Sequence, residues 1–435
     1  MEATSNIQVR PTRRTALALA ALASLPILLS WRASSPMANA QTAGNQTTYT
    51  VTDLGTLGGS FSAALSIDDR SLIVGESTLP GDTANGGFIW ESGVITNLGS
   101  LPAGPTVLPL VANDSTVAVG VADGAASAHD ANACFCPSPL NCHGFSWQNG
   151  IMTDLGTRGG ASSGANWVNN RGQIAGISQI NAIDPNGNAF CGAGPGGQII
   201  NAYSVEEGTW TNIGTLGGNN AGAFQLNDLG EIAGASDTQK TVDPNLGFVP
   251  IHAFLYSNGS MVDLGTLGGG FSGPEFISNQ GVIVGQSTLA GEQHILGFKW
   301  ENGVLTNLGT LPGDSDSLAA AVNSVGQVVG FSATQPATGG AGLFMRGFIW
   351  KNGVMTDLNT LITSSSWQIL VGTGINAMGE ISAIALNNST GQEHGVLLTP
   401  SNNSARGTPG GGTPSATLKK ALRTKAGRWK IKILQ

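Results

Sequence analysis

The side chains best equipped for chemistry in this 435-residue chain recur at one place in a repeating pattern. Asp53, Asp154, Asp263 and Asp357 each open a segment of the form Asp-Leu-Gly-Thr or Asp-Leu-Asn-Thr, and carboxylates are common general acids and bases. Asn97, Asn212 and Asn307 hold the same place in three further copies. An amide cannot take over a proton-transfer role, whereas either side chain can close a turn by accepting from its own backbone. The interchange marks these positions as turn formers. His143, His252 and His394 also recur in register. Three imidazoles on three separate repeats rarely converge on one metal, so hydrogen bonds to neighbouring turns are expected. The Leu-Gly-Gly after several copies lacks the Lys-Ser/Thr and helix of a phosphate cradle, and reads as a crossover.

Other candidates occur once. Cys134, Cys136, Cys142 and Cys191 are an even set, which predicts two disulfides, one within 134–142 and one reaching Cys191. The alternative is a zinc knuckle of Cys134, Cys136, Cys142 and His143, although metal sites normally space their cysteines Cys-x2-Cys. Three longer repeats carry extra residues near 123–143, 178–201 and 236–252. These bring His129, Asp130, Asn132, Asp184, Asn186, Asn188, Asp243 and Asn245, which are the candidate ligand-binding residues. Asp184-Pro-Asn-Gly-Asn188 resembles a calcium-binding loop, so calcium is the one cofactor the sequence admits. No residue set is assigned to catalysis or to any other metal.

The scaffold follows from the repeat. Successive Asp/Asn-Leu segments begin at 53, 97, 154, 212, 263, 307 and 357. Between them recur three short runs rich in Val, Ile and aromatics, such as Ala319 to Asn323, Gln327 to Phe331 and Gly347 to Trp350, with Val354 to Leu358 completing the unit. Asn323-Ser-Val-Gly326 and Lys351-Asn-Gly353 supply hairpin turns with glycine where positive φ is needed. Trp90, Trp147, Trp300, Trp350 and Tyr256 share one register and are expected to pack between units. Four strands per unit, repeated seven times, predict an all-β fold, a seven-bladed β-propeller of four-stranded antiparallel blades. An open β-solenoid is the rival. Closure is favoured because Tyr49 to Leu57 has no unit before it and Val396 to Thr399 has no strand after it, so the N-terminal strand is expected to pair into the last blade.

His252-Ala-Phe-Leu-Tyr256 with Val262-Asp-Leu-Gly-Thr-Leu-Gly-Gly269 resembles the HAF-family extracellular repeats of bacterial exported proteins, and the resemblance covers 49–400. It implies export and a tandem β architecture, and the family brings no assigned activity. The triplet is intact only at His252, is close at His143-Gly-Phe and His394-Gly-Val, and four units lack the histidine. That pattern argues against a general ligand role for it.

With 64 glycines and only 11% charged residues, the chain is poor in helix formers. Its net charge of −8 divides into basic ends and an acidic middle, since residues 401–435 carry eight basic and no acidic side chains. The acidic body repels phosphate backbones and excludes nucleic acid as a partner. Arg10, Arg13 and Arg14 before the apolar run Ala16 to Leu29, and Ala38-Asn-Ala40 after it, read as an export signal. The Arg13-Arg14 pair leaves the general secretory and twin-arginine routes both open. The expected organisation is a signal peptide (1–40), the repeat body (41–400), a flexible linker (401–417) and a basic tail (418–435). The mature chain is expected to be a monomer with no membrane span, extracellular or periplasmic. Insertions gathered on one face predict a non-catalytic scaffold that binds a glycan or protein there. The alternative is an exported hydrolase or lyase at the mouth of a central channel.

Overall fold

The structure is a computed structural model that describes residues 47–128, 133, 135–186, 197–334 and 344–401. The signal peptide, the C-terminal linker beyond Ser401, the basic tail, His129, Asp130, Asn132, Cys134, Asn188 and Cys191 lie outside the described residues. Among those described, twenty-eight strands and a single 3-10 turn make up the regular structure.

Each unit runs as an antiparallel meander. In the first, Ser62–Ile67, Ile73–Thr78, Asn85–Glu91 and Val94–Asn97 pair in chain order. The turns explain the meander. Gly230, Gly326 and Gly379 adopt φ of 86°, 76° and 77° at the first hairpin of their units. At the last hairpin, Asn302 and Gly303 (φ 51° and 83°) are both left-handed, as are Asn352 and Gly353 (52° and 84°). Two left-handed residues make a type I′ turn, whose twist matches the flanking strands.

The final unit is built from Trp367–Ile375, Ile381–Asn387 and Glu393–Pro400, and its outer strand is the N-terminal Tyr49–Asp53. Pairing runs from Tyr49 opposite Pro400 to Asp53 opposite Val396. The expected clasp is therefore present, with a shorter strand than Tyr49 to Leu57. Tyr49 is fully buried in a cluster with Leu358, Leu361, Ile369 and Leu398.

The strands form six sheets rather than seven separate ones. Five have four strands, while the units over Ala221–Asp263 and Gly268–Asn307 share one sheet. A single parallel pair, Ile251 opposite Phe271, joins them. The cause is local: the strand Gly268–Ile277 already begins in the glycine-rich crossover and so reaches the neighbouring unit's Ile251–Ser257.

The first strands, Ser62–Ile67, Val107–Ala112, Ser163–Val168, Ala221–Leu226, Gly268–Ile277, Asp316–Val322 and Trp367–Ile375, are the inner ones. Each lies beside the next, and the seventh lies beside the first. Register shifts interrupt every one of them, at Ala64/Ser66, Pro109/Val111, Ala165/Trp167, Ala223/Gln225, Pro274/Phe276, Ala319/Ala321 and Gly372/Gly374. Such bulges bend a strand and re-aim its side chains. In six units the bulge faces a glycine on the second strand. A Cβ at Gly75, Gly120, Gly176, Gly234, Gly285 or Gly330 would collide with the inner strand's carbonyl oxygen.

Apolar clusters fill the gaps between neighbours. Trp147 and Phe145 pack with Leu72, Val74 and Ile89 of the preceding unit, and Trp90 packs with Leu397 of the last. The aromatic register expected between units is thus found there, each buried ring adding about 1.5–3 kcal/mol of transfer free energy.

Candidate functional site

All seven Asp/Asn positions form the same turn. The side chains of Asp53, Asn97, Asp154, Asn212, Asp263 and Asn307 accept from the backbone N–H of the glycine two residues on, at 2.7–2.9 Å. Asp357 does the same with Asn359 N–H at 2.9 Å. The choice between acid and amide follows the residue opposite. His143 Nδ1 donates to Asp154 at 2.8 Å, His252 to Asp263 at 2.9 Å and His394 to Asp53 at 3.0 Å. Arg346 faces Asp357 at 3.4 Å. Where Gly86, Asn201 or Leu296 occupies that opposite place, the turn residue is Asn97, Asn212 or Asn307. Burial raises the carboxyls of Asp53 and Asp263, but the histidine hydrogen bond, the glycine N–H and the imidazole charge outweigh it and hold both below the ordinary value of 3.8. The sequence contained this correlation between partners, which the interchange of Asp and Asn alone does not explain.

The inserted segments stand at the end of the molecule that carries the crossovers. Ser60 N–H and Oγ donate to Asp82 at 2.7 Å, and Gly218 N–H donates to Asp237 O at 3.0 Å, tying each crossover to the loop after its second strand. Of the predicted ligand residues, Asp184 is buried, accepting from Asn219 at 3.1 Å and from Asn220 at 2.6 Å. Asn186 donates to the carbonyl of Lys240. Asp243 accepts from the N–H of Asn245 at 2.7 Å, closing its own loop. These contacts bring Asp184, Asn186 and the neighbouring loop together, with Asp243 and Asn245 further along that loop. A calcium ion at Asp184 would have to displace amide donors from both of its oxygens. Cys136 and Cys142 are disulfide-bonded, which is the short bridge expected within 134–142.

A second feature, expected from sequence only as a channel with no residues assigned to it, is a cavity of about 550 Å³ on the central axis, lined at the same register by all seven inner strands. Its rim at the far end from the insertions is the ring of first hairpins. Asn113 Nδ2 donates to Asn169 O at 2.9 Å, Asn169 to Asn227 O at 3.0 Å and Asn227 to Ser278 O at 3.1 Å. Asn323 likewise donates to Asn376 O at 3.2 Å, and Asn376 to Asp68 O at 3.3 Å, linking the last unit to the first. Arg70, paired with Asp68 at 2.9 Å, makes the next link to Asn113 O at 3.4 Å. Asp69, Asp114 and Asp228 stand one residue further on and face the cavity mouth. The Asp114 carboxyl is raised by burial and by Asp68, Asp228 and Asp69, against the lowering effect of Arg70.

Deeper in, the side chains differ from unit to unit. Trp167 and Phe276 meet edge to face at 5.5 Å between ring centroids, flanking Gln225 of the intervening unit. Glu275 accepts from Gln286 at 3.2 Å, and burial pushes its carboxyl up to about 8. Phe135, next to the disulfide, packs on the clusters of Leu108 and Ile177 and lines the cavity at the insertion-bearing end. Among the described residues no cluster of three or more His, Cys, Asp or Glu could hold a metal ion.

Neither a protein-family model nor a curated protein matches the sequence. Solved structures do. The β-propeller domain of the Trilobed protease from Pyrococcus furiosus is 12% identical, with 68% of this chain and 83% of that one covered and a TM-score of 0.44. An acylaminoacyl peptidase from Pyrococcus horikoshii is 9% identical, covering 80% and 53%, at a TM-score of 0.45. A Trypanosoma rangeli sialidase is 8% identical, covering 87% and 57%, at 0.35. This chain thus spans little more than half of the peptidase and the sialidase, and no activity is carried over at such identities.

Proposed function

We propose that this chain is an exported, non-catalytic binding scaffold, a seven-bladed β-propeller whose insertion-bearing face takes a glycan or protein partner. The ring of inner strands around one cavity, the six sheets with the fourth and fifth units fused by one pair, and the last-to-first links at Asn376 and Asp68 support the closed reading. Export is supported by the arginine-led apolar N-terminus, the likeness to HAF repeats, and the Cys136–Cys142 disulfide, which suits an oxidising compartment. No helix among the described residues is long and apolar enough to cross a membrane.

The observation that carries the binding reading is lateral bracing of adjacent insertions. Asp184 clamps Asn219 and Asn220, and Asn186 reaches Lys240, so two loops from neighbouring units form one continuous ledge. A ledge braced by side-chain amides is pre-organised for a broad partner, which lowers the ordering cost of binding. A hydrolase reading would rest on Glu275, but its hydrogen-bond partner is the non-titrating Gln286. Glycan and protein arrays probed with the full chain and with a variant whose residues 185–196 are replaced by a short Gly-Ser turn test the proposal. Loss of a bound partner in the variant is expected, and equal binding by both overturns it.

A further inference from the structure

The axial cavity combines three properties that the blades themselves do not require. Among the described residues its walls contain five carboxylates and no basic side chain: Asp68, Asp69, Asp114 and Asp228 at the mouth, and Glu275 within. Of these carboxylates only Asp68 forms an ion pair among the described residues, with Arg70, which also acts through its charge on Asp114. Deep in the cavity, Trp167 and Phe276 offer partly exposed aromatic surface. On the opposite side the same register carries Ser66, Ala321 and Gly374, which leaves the space clear.

The third property is unsatisfied polarity. Gln225 has a buried side-chain oxygen with no hydrogen-bond partner, a state that costs about 1–3 kcal/mol. Rotation of that amide towards a donor in the cavity would recover the loss. Glu275 accepts a single hydrogen bond, from Gln286, and its remaining accessible surface faces the cavity. Asp114 is not engaged by any hydrogen bond through its carboxylate among the described residues. Acceptors, carboxylates and aromatic rings all favour the same class of guest.

We propose that the cavity is a binding site for a small organic cation, an amine or quaternary ammonium group held against Trp167 and Phe276 with Glu275 as its counter-charge. The acidic rim concentrates cations at the mouth, and the low-dielectric walls strengthen their attraction inside. The acidic rim lies at the end of the axis away from the insertion-bearing face, while Phe135 of the first inserted segment lines the cavity from the other end.

The test uses the full chain at pH 8.5 and two probes of equal shape, choline and its neutral isostere 3,3-dimethylbutan-1-ol, by titration calorimetry and thermal shift. Choline is expected to bind about tenfold or more tightly than the isostere. Glu275→Gln should cut choline affinity by roughly the same factor, with unchanged far-UV circular dichroism. Ala320→Trp, at the bulge residue beside Ala321 that also lines the cavity, should abolish binding of both probes. Equal affinity for the two probes, no choline binding, or choline binding that survives Glu275→Gln undiminished overturns the proposal. If Ala320→Trp fails to fold, the Glu275→Gln comparison and the isostere ratio decide alone.

Discussion

Asp263 and Asn307 occupy the same turn, yet only Asp263 has a histidine eleven residues upstream. A carboxylate is retained where a cationic or donor side chain faces it, and an amide where none does. Asp263→Asn alone should therefore leave His252 with only a neutral amide oxygen, already taken by the Gly265 N–H, whereas His252→Leu with Asp263→Asn recreates the Leu296 and Asn307 pairing that already occurs in the chain. The expected coupling between the two substitutions is about 0.5–1 kcal/mol, since the pair is partly exposed, and a double-mutant cycle in urea measures it. Zero coupling contradicts the partner rule. Buried acids act in the opposite sense. Glu275 is pushed up to about 8, and Glu76 and Asp237 to about 7, each chiefly by burial. Between the ordinary carboxylate range and those values the unfolded chain releases protons that the folded chain keeps, so stability falls as pH rises. Asp53 and Asp263, held low, add stability that disappears only when pH drops below their ordinary value of 3.8. Melting temperature should consequently be higher at pH 5 than at pH 8, each buried acid contributing up to about 1.4 kcal/mol per pH unit in its window. Glu275→Gln should flatten that slope, and a melting temperature that rises from pH 5 to pH 8 contradicts the assignment.

The strand unit was legible because its signals are redundant: turn glycines, a valine-rich second strand and an aromatic third strand recur in copy after copy. The inner strand was legible as a strand but not as a wall. Leu65, Asn166, Phe224 and Glu275 sit at the bulge, where a one-residue slip turns a side chain from the packed face to the axis, and no local pattern announces that slip. Its one sequence trace is the second-strand glycine, as at Gly330, whose missing Cβ makes room for the Leu318 carbonyl. Gly330→Ala is thus predicted to destabilise by about 1–3 kcal/mol without disturbing any turn, as read by urea unfolding. A neutral effect would mean that the bulge does not press the two strands together. The insertion-bearing loops are legible in the chain as extra residues, but the burial of Asp184 as a brace between neighbouring units is not. Only its partners, Asn219 and Asn220 in the next unit, reveal that, and they lie 35 and 36 residues away.

At the scale of the molecule, the proposed closed ring rests on two seams between the first and last units. One is the hairpin rim, where Asn376 and the N–H of Ala377 bond Asp68 and Asp69, the latter at 2.8 Å. The other is the outer strand of the last unit, supplied by Tyr49–Asp53 and anchored by the buried Tyr49 ring. The unmatched first and last strands foretold the second seam, while the first is invisible in sequence because its bonds join residues 308 positions apart. Hydrogen exchange with thermal melting on two truncations tests whether the N-terminal strand closes the proposed ring. Removing residues 47–53 should lower the melting temperature by roughly 5 °C or more. It should also raise amide exchange selectively in Glu393–Pro400, whereas ending the chain at Ser401 should shift melting by no more than about 1 °C. Equal melting of the two truncated chains, with Glu393–Pro400 still protected in the first, would contradict the closed ring.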